Sequence, residues 1–317
     1  MRISGRLAML GCAALIAVSG TVDAAEPEPE ACRTVRFADV GWTDITATTA
    51  LTSRILEGLG YETRTDVLAV PVTYASLKNK DIDVFLGNWM PTMEADLKPY
   101  VEDKSVEVVG ANLEGAKYTL AVPAYTYEAG LKSFADIAKF KDELEGQIYG
   151  IEPGNDGNRL ILDMIEEGKF GLDEFELVES SEQGMLAQVD RATRREEPIV
   201  FLGWEPHPMN TKYEIRYLEG GDEVFGPNYG GATVFTNVRA GYLDECPNVG
   251  ALIRNLRFTL KMENELMGAI LFDGNDPADA AETWLKANLA QVEPWLQGVT
   301  NVEGEPAVEA LRADLGS

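Results

Sequence analysis

Residues 34–60 read Thr-Val-Arg-Phe-Ala-Asp-Val-Gly-Trp-Thr-Asp-Ile-Thr-Ala-Thr-Thr-Ala-Leu-Thr-Ser-Arg-Ile-Leu-Glu-Gly-Leu-Gly, and this stretch decides the fold class. Thr34–Val40 is a short apolar, β-branched run that stops at Gly41, as a buried strand does. Asp44–Leu59 follows as a helical pattern. The same alternation continues outward. Strands are predicted at Thr65–Ala69, Ile82–Leu86, Tyr118–Pro123, Gln147–Ile151, Phe175–Glu179, Pro198–Gly203, Ile215–Leu218 and Thr233–Val238. Helices are predicted at Thr73–Lys80, Ser133–Phe140, Asn158–Glu167 and Gln183–Arg195, with apolar residues three and four apart as in Leu160, Met164 and Ile165. Short strands alternating with helices mean mostly parallel sheets covered by helices, an α/β class. From Asn248 the pattern is nearly all helical (Ala251–Lys261, Glu263–Phe272, Pro277–Ala290).

The chain has 317 residues with 27 Lys+Arg against 53 Asp+Glu, a net charge of −26. That length accommodates two lobes, and that charge argues against a nucleic-acid partner, which calls for clustered cations. A single histidine, His207, excludes a His-built metal site. Arg2 and Arg6 precede the apolar run Leu7–Val18 and then Val22-Asp23-Ala24, which reads as a signal peptide (residues 1–24) cleaved after Ala24. The run is too short for a permanent membrane span, so an exported, periplasmic protein is expected. The processed chain would carry 25 positive and 52 negative side chains and keep two of three cysteines, Cys32 and Cys246. In an oxidising compartment these are expected to pair, the alternative being two buried free thiols. Glu26-Pro27-Glu28-Pro29-Glu30 reads as a disordered leader of the mature chain.

Three of the five tryptophans share one context. Val40-Gly41-Trp42, Leu86-Gly87-Asn88-Trp89 and Leu202-Gly203-Trp204 each place an indole just past an apolar strand and a glycine. In open α/β sheets the carboxyl ends of the strands border the ligand crevice, and a glycine lets the ring turn out of the core. Converging indoles suit the apolar face of a sugar or a quaternary ammonium, which has no N–H to donate and is held by ring faces. Asp44, two residues beyond Trp42, is either a helix cap or a carboxylate at the rim of the same crevice. Trp284 and Trp295 fall in the helical tail and read as packing residues. No phosphate loop and no Gly-x-Ser-x-Gly elbow occurs, no catalytic residue stands out, and no cofactor or metal is implied. His207, between Pro206 and Pro208, reads as part of a stiff loop without chemistry.

Taken together in order and spacing, Gly41-Trp42-Thr43-Asp44, Gly87-Asn88-Trp89-Met90-Pro91, Gly150-Ile151-Glu152-Pro153-Gly154 and Gly203-Trp204-Glu205-Pro206-His207 resemble the substrate-binding proteins of glycine betaine/choline ABC importers. The resemblance covers essentially the whole chain after residue 24. It implies a type II, two-lobed α/β binding protein that closes around its ligand. One lobe would comprise residues 25–112 and 222–317, and the other residues 113–221. It implies an aromatic box of Trp42, Trp89, Tyr118 and Trp204, with Asp44 and Asn155 on the hydroxyl of choline, and a Cys32–Cys246 bridge. Choline is the ligand so implied, acetylcholine and weaker betaine binding come next, and an ABC permease is the partner of an expected monomer. From their own context alone, Tyr118 has a core aromatic as its alternative reading, and Asn155 reads first as a turn or cap residue. Glycine betaine or carnitine binding on the same scaffold, and more remotely a secreted carbohydrate-active enzyme, are the alternatives.

Overall fold

The computed structural model describes residues 28–316. The expected signal segment and its cleavage site lie outside the described residues. Among the described residues nine strands form one sheet: β1 (Thr34–Asp39), β2 (Glu62–Val67), β3 (Val84–Met90), β4 (Val106–Pro123), β5 (Gln147–Tyr149), β6 (Glu176–Val178), β7 (Phe201–Glu205), β8 (Ile215–Tyr217) and β9 (Gly231–Arg239). Their order is β2-β1-β3-β9-β4-β7-β5-β6, with β8 also on β4. The parallel character read from the sequence holds for β1 with β2 and β3, and for β5 with β6 and β7. The central strands β3, β9, β4, β7 and β8 pair antiparallel, because β4 and β9 carry the chain from one half to the other and back.

Strand β4 is where the sequence pattern falls short. Only its last third, Tyr118–Pro123, shows a clean apolar run; before it the pairing with β9 shifts register three times, between Val108 and Gly110, Ala111 and Leu113, and Leu113 and Ala116. Each irregularity breaks the two-residue period on which strand reading depends. The strand pairs with β9 from Val106 to Lys117, then with β7 and β8 from Lys117 to Pro123. One continuous strand thus belongs to both halves of the sheet.

The first helix, α1 (Thr43–Gly58), buries Ile45, Ala47, Leu51, Ile55 and Leu56 against the sheet and the helices Leu260–Leu271 and Pro277–Val292. Each of these Ile and Leu side chains stabilises the fold by roughly 1.5–3 kcal/mol. Helix Glu94–Glu102, which the sequence pattern does not reveal, carries a proline at position 99 inside it. The tail tryptophans pack as expected: Trp284 donates its indole N–H to Glu265 Oε2 at 3.0 Å, and Trp295 stands edge-on to Phe258.

Cys32 and Cys246 form a disulfide across 214 residues of sequence, tying the start of β1 to the helix that begins at Pro247. The acidic stretch before Cys32 departs from the disordered reading in its described part. Glu28 is buried, accepts from the Tyr61 hydroxyl at 3.1 Å and accepts the Asn248 backbone N–H. These partners repay the desolvation that keeps such a residue outside in an isolated chain.

Candidate functional site

The three tryptophans converge by three different local routes. Trp42 follows β1 through Gly41, whose φ of +83° makes a turn that a side-chain-bearing residue would adopt under strain. Trp89 and Trp204 differ from expectation: they lie inside β3 and β7, near the carboxyl ends, and not beyond them. The nearby glycines therefore serve clearance, since a Cβ at Gly87 would come within 2.8 Å of Ile45 and one at Gly203 within 2.8 Å of Ala121. Register supplies the fourth ring. Tyr118 on β4 is the direct antiparallel partner of Trp204 on β7, and Trp89 on β3 faces Val234 of the shared strand β9.

Trp42, Asp44, Trp89, Tyr118, Ile151 and Trp204 line one small, tight pocket with about 10 Å³ of free volume. Ring centroids stand 6.0 Å apart for Trp89 and Tyr118 and 6.4 Å for Tyr118 and Trp204, with Phe225 edge-on behind Tyr118 at 6.0 Å. At these separations and tilts the rings pack on one another as one connected aromatic wall. None of the six lining residues carries a positive charge.

Asp44 is the polar element of this wall. It is the second residue of α1, not its cap, and it is 1% exposed. Its Oδ2 accepts from Trp89 Nε1 at 3.1 Å, while Oδ1 has no hydrogen-bond partner. Burial, reinforced by the charge of Glu182, pushes its carboxyl up to about 8. Glu152 accepts from Trp42 Nε1 at 2.7 Å and is pushed up to about 7, again chiefly by burial. Glu263 lies buried behind Asp44 and is held well above the usual carboxylate range by burial and then by Asp44. An acidic, desolvated environment of this kind disfavours a ligand anion and favours a cation that restores the lost solvation.

Asn155 sits behind Tyr118 and does not line the cavity. It caps the helix Asp156–Glu166, accepting the Asn158 N–H at 2.8 Å, accepts the Tyr118 hydroxyl at 3.4 Å, and donates to the Glu152 carbonyl. Sequence reasoning left out Ile151, Glu152 as a ring partner, and Glu182. Ile151 and Glu152 lie within the motif Gly150–Gly154, so proximity to Pro153-Gly154 is their signal; Glu182 reads only as the start of a helix. For metals, the described residues offer one cluster of three potential ligands, Glu28, Cys32 and Cys246, and the disulfide removes both thiolates.

Contacts across the cavity mouth join the two halves of the sheet. Besides Trp42–Glu152, Arg159 on the helix Asp156–Glu166 donates to Asp96 Oδ2 at 2.7 Å and to the Thr92 carbonyl at 3.2 Å. Thr43 donates its N–H and hydroxyl to Glu182 at 2.8 and 2.6 Å. The cleft is closed.

Comparison with known proteins agrees with this geometry. The chain is 68% identical to an ABC-transporter choline-binding protein solved in complex with choline, over 91% of this chain and all of that one, with a TM-score of 0.90. Against an ABC-transporter choline-binding protein in an unliganded semi-closed conformation, at the same identity and coverage, the TM-score is 0.84, so the conformation lies nearer the liganded form. The glycine betaine/carnitine transport binding protein of Listeria monocytogenes is 29% identical over 189 residues, 59% of this chain and 62% of that protein. The fold is that of type II periplasmic binding proteins, two α/β lobes with the ligand site between them. Residues 33–287 match the substrate-binding domain of the ABC-type glycine betaine transport system, and the chain belongs to that family.

Proposed function

We propose that this chain captures choline between its lobes and delivers it to the permease of an ABC importer in the periplasm. Trp42, Trp89, Tyr118 and Trp204 would hold the quaternary ammonium, each desolvated ring contributing up to about 2 kcal/mol. Asp44 would accept the ligand hydroxyl and balance its charge, and Asn155 would act through Tyr118. One lobe would be residues 25–112 and 222–317 and the other 113–221, hinged along β4 and β9, the neighbouring strands at the middle of the sheet. Export would follow cleavage after Ala24, and the working form would be a monomer.

The observation that carries this reading is the partnerless Oδ1 of buried Asp44 in a wall of four aromatic rings without a cation. A choline hydroxyl and charge satisfy it. The carboxylate of glycine betaine would instead face Asp44 with no lining residue to neutralise it. Betaine binding nevertheless has support of its own in the family description and the Listeria relative. The carbohydrate-active alternative falls away, because the family consists of transport binding proteins and not enzymes. Calorimetric titration with choline, acetylcholine, glycine betaine and carnitine is the test. Choline binding most tightly is expected, and glycine betaine outranking it would overturn the assignment.

A further inference from the structure

A buried glutamate and the chain's one histidine meet outside the cavity wall, at the seam between the halves. Glu182 opens the helix Glu182–Arg195, which follows β6, and its carboxylate accepts both the N–H and the hydroxyl of Thr43. Thr43 begins α1 in the opposite half, and the residue at the cap position of α1, Trp42, supplies no side-chain cap. The start of a helix leaves N–H groups unpaired and carries partial positive charge. For α1 the capping carboxylate therefore comes from across the cleft and exists only while the halves are together.

His207 holds that carboxylate in place. Its Nδ1 accepts the Met209 N–H at 2.9 Å, which puts the ring proton on Nε2, and Nε2 lies 3.2 Å from Glu182 Oε1. Glu182 and His207 are each 1% exposed. The histidine ring also packs edge-on to Trp204 with centroids 4.8 Å apart. Thr43 in turn lies between Trp42 and Asp44. The pair thus touches the aromatic box at both ends, once through α1 and once through Trp204. The other charged link across the mouth, Arg159–Asp96, is more open to solvent, its arginine side chain being 34% exposed.

We propose that Glu182, oriented by His207, is the positioning residue that latches the closed, ligand-loaded state. The inference rests on the reading that the lobes close around choline. Apparent affinity scales with the population of the closed form, so bonds made only on closing slow ligand escape and leave encounter unchanged. The test is stopped-flow and calorimetric choline binding by the full chain and its variants. Glu182→Ala is expected to raise koff about ten- to hundredfold, the loss of hydrogen bonds to a charged group, with kon held within about twofold. The unfolding midpoint of the unliganded chain should stay in place. His207→Ala should raise koff less, and His207→Gln, which keeps an N–H near the Nε2 position, should recover most of the loss. An unchanged koff in Glu182→Ala, or a loss carried by kon, overturns the latch. Should that variant fail to fold, Thr43→Val, which deletes only the hydroxyl donor, decides by the same criterion. If the wild-type chain binds neither choline nor glycine betaine, the functional reading falls and the latch with it; if it binds and koff is unmoved, only the latch falls.

Discussion

Asp83 and Asp44 are both aspartates in the first half of the chain, 2% and 1% exposed, and the protein treats them in opposite ways. Asp83, at the start of the β3 side of the sheet, takes the Arg36 backbone N–H at 3.0 Å, Arg36 Nε at 2.8 Å, Arg36 Nη2 at 2.7 Å and Arg239 Nε at 2.7 Å. Asp44, at the carboxyl edge of the same sheet, receives one indole N–H and keeps one oxygen without a partner. Burying a charge is costly unless it is paired, so the paired aspartate belongs to the scaffold. The other has its desolvation only partly offset, and a cationic, hydroxylated ligand would supply what the fold withholds. What sets Asp44 apart is that its unsatisfied oxygen belongs to a residue of the pocket wall, where the same residue type at the other edge is architecture.

The largest expected effect breaks the scaffold side of this contrast. Asp83→Ala should cost about 3 kcal/mol of stability, because Arg36 loses its carboxylate and buried Arg239 keeps only Glu245, while the folded fraction keeps its choline affinity. Chemical denaturation alongside a choline titration checks both halves of the statement. Asp44→Asn should do the reverse: choline affinity falls about ten- to hundredfold, some 1.5–3 kcal/mol, with unliganded stability undiminished. Glycine betaine binding by the same variant should be unharmed or improved, and a matching loss for both ligands would erase the contrast.

Proton dependence sharpens it further. Burial raises Asp44 to about 8 and Glu152 to about 7; opening the cleft to water would return both toward the ordinary carboxylate range, so the closed, unliganded form would hold protons that an open form would release. That form is therefore favoured below about pH 4, loses the benefit as pH rises toward 8, and lacks it above. The choline complex needs Asp44 ionised, so choline affinity should weaken as pH falls below about 8. Scattering measurements of the radius of gyration across this range, with and without choline, should show opposite trends. Calorimetry in buffers of different ionisation enthalpy should register proton release on binding. The smallest effect concerns the support behind the box. Asn155→Ala removes a helix cap, worth about 1 kcal/mol, and one partner of the Tyr118 hydroxyl. Its choline affinity should fall less than that of Asp44→Asn, and a larger fall would place Asn155 in direct contact with ligand.

The alternation from Thr34 onward and the recurring Gly-to-Trp context made the α/β class and three of the wall positions legible, because periodicity and indole spacing are local properties. Asn155 was legible as a ligand residue only by resemblance; its own context read as a turn or cap, and a helix cap and Tyr118 are what its amide serves. The leading part of β4 was not legible, since its register shifts erase the period. Glu182 and His207 were read as a helix start and a loop residue, because nothing in their neighbourhoods points to Thr43, 139 residues away from Glu182. The resemblance also implied the disulfide, and the cysteine count agreed with it.

By itself, the sequence determined the class of fold, the excess of negative charge and the residue types able to hold a quaternary ammonium. Those follow from composition and from patterns a few residues long. The tertiary structure alone decided that Tyr118 stands beside Trp204, that Asp44 and not Asn155 faces the cavity, and that the cap of α1 is borrowed from the other half. Each of these depends on strand register or on burial, and both are set by contacts between residues far apart in the chain, where no local pattern carries the information.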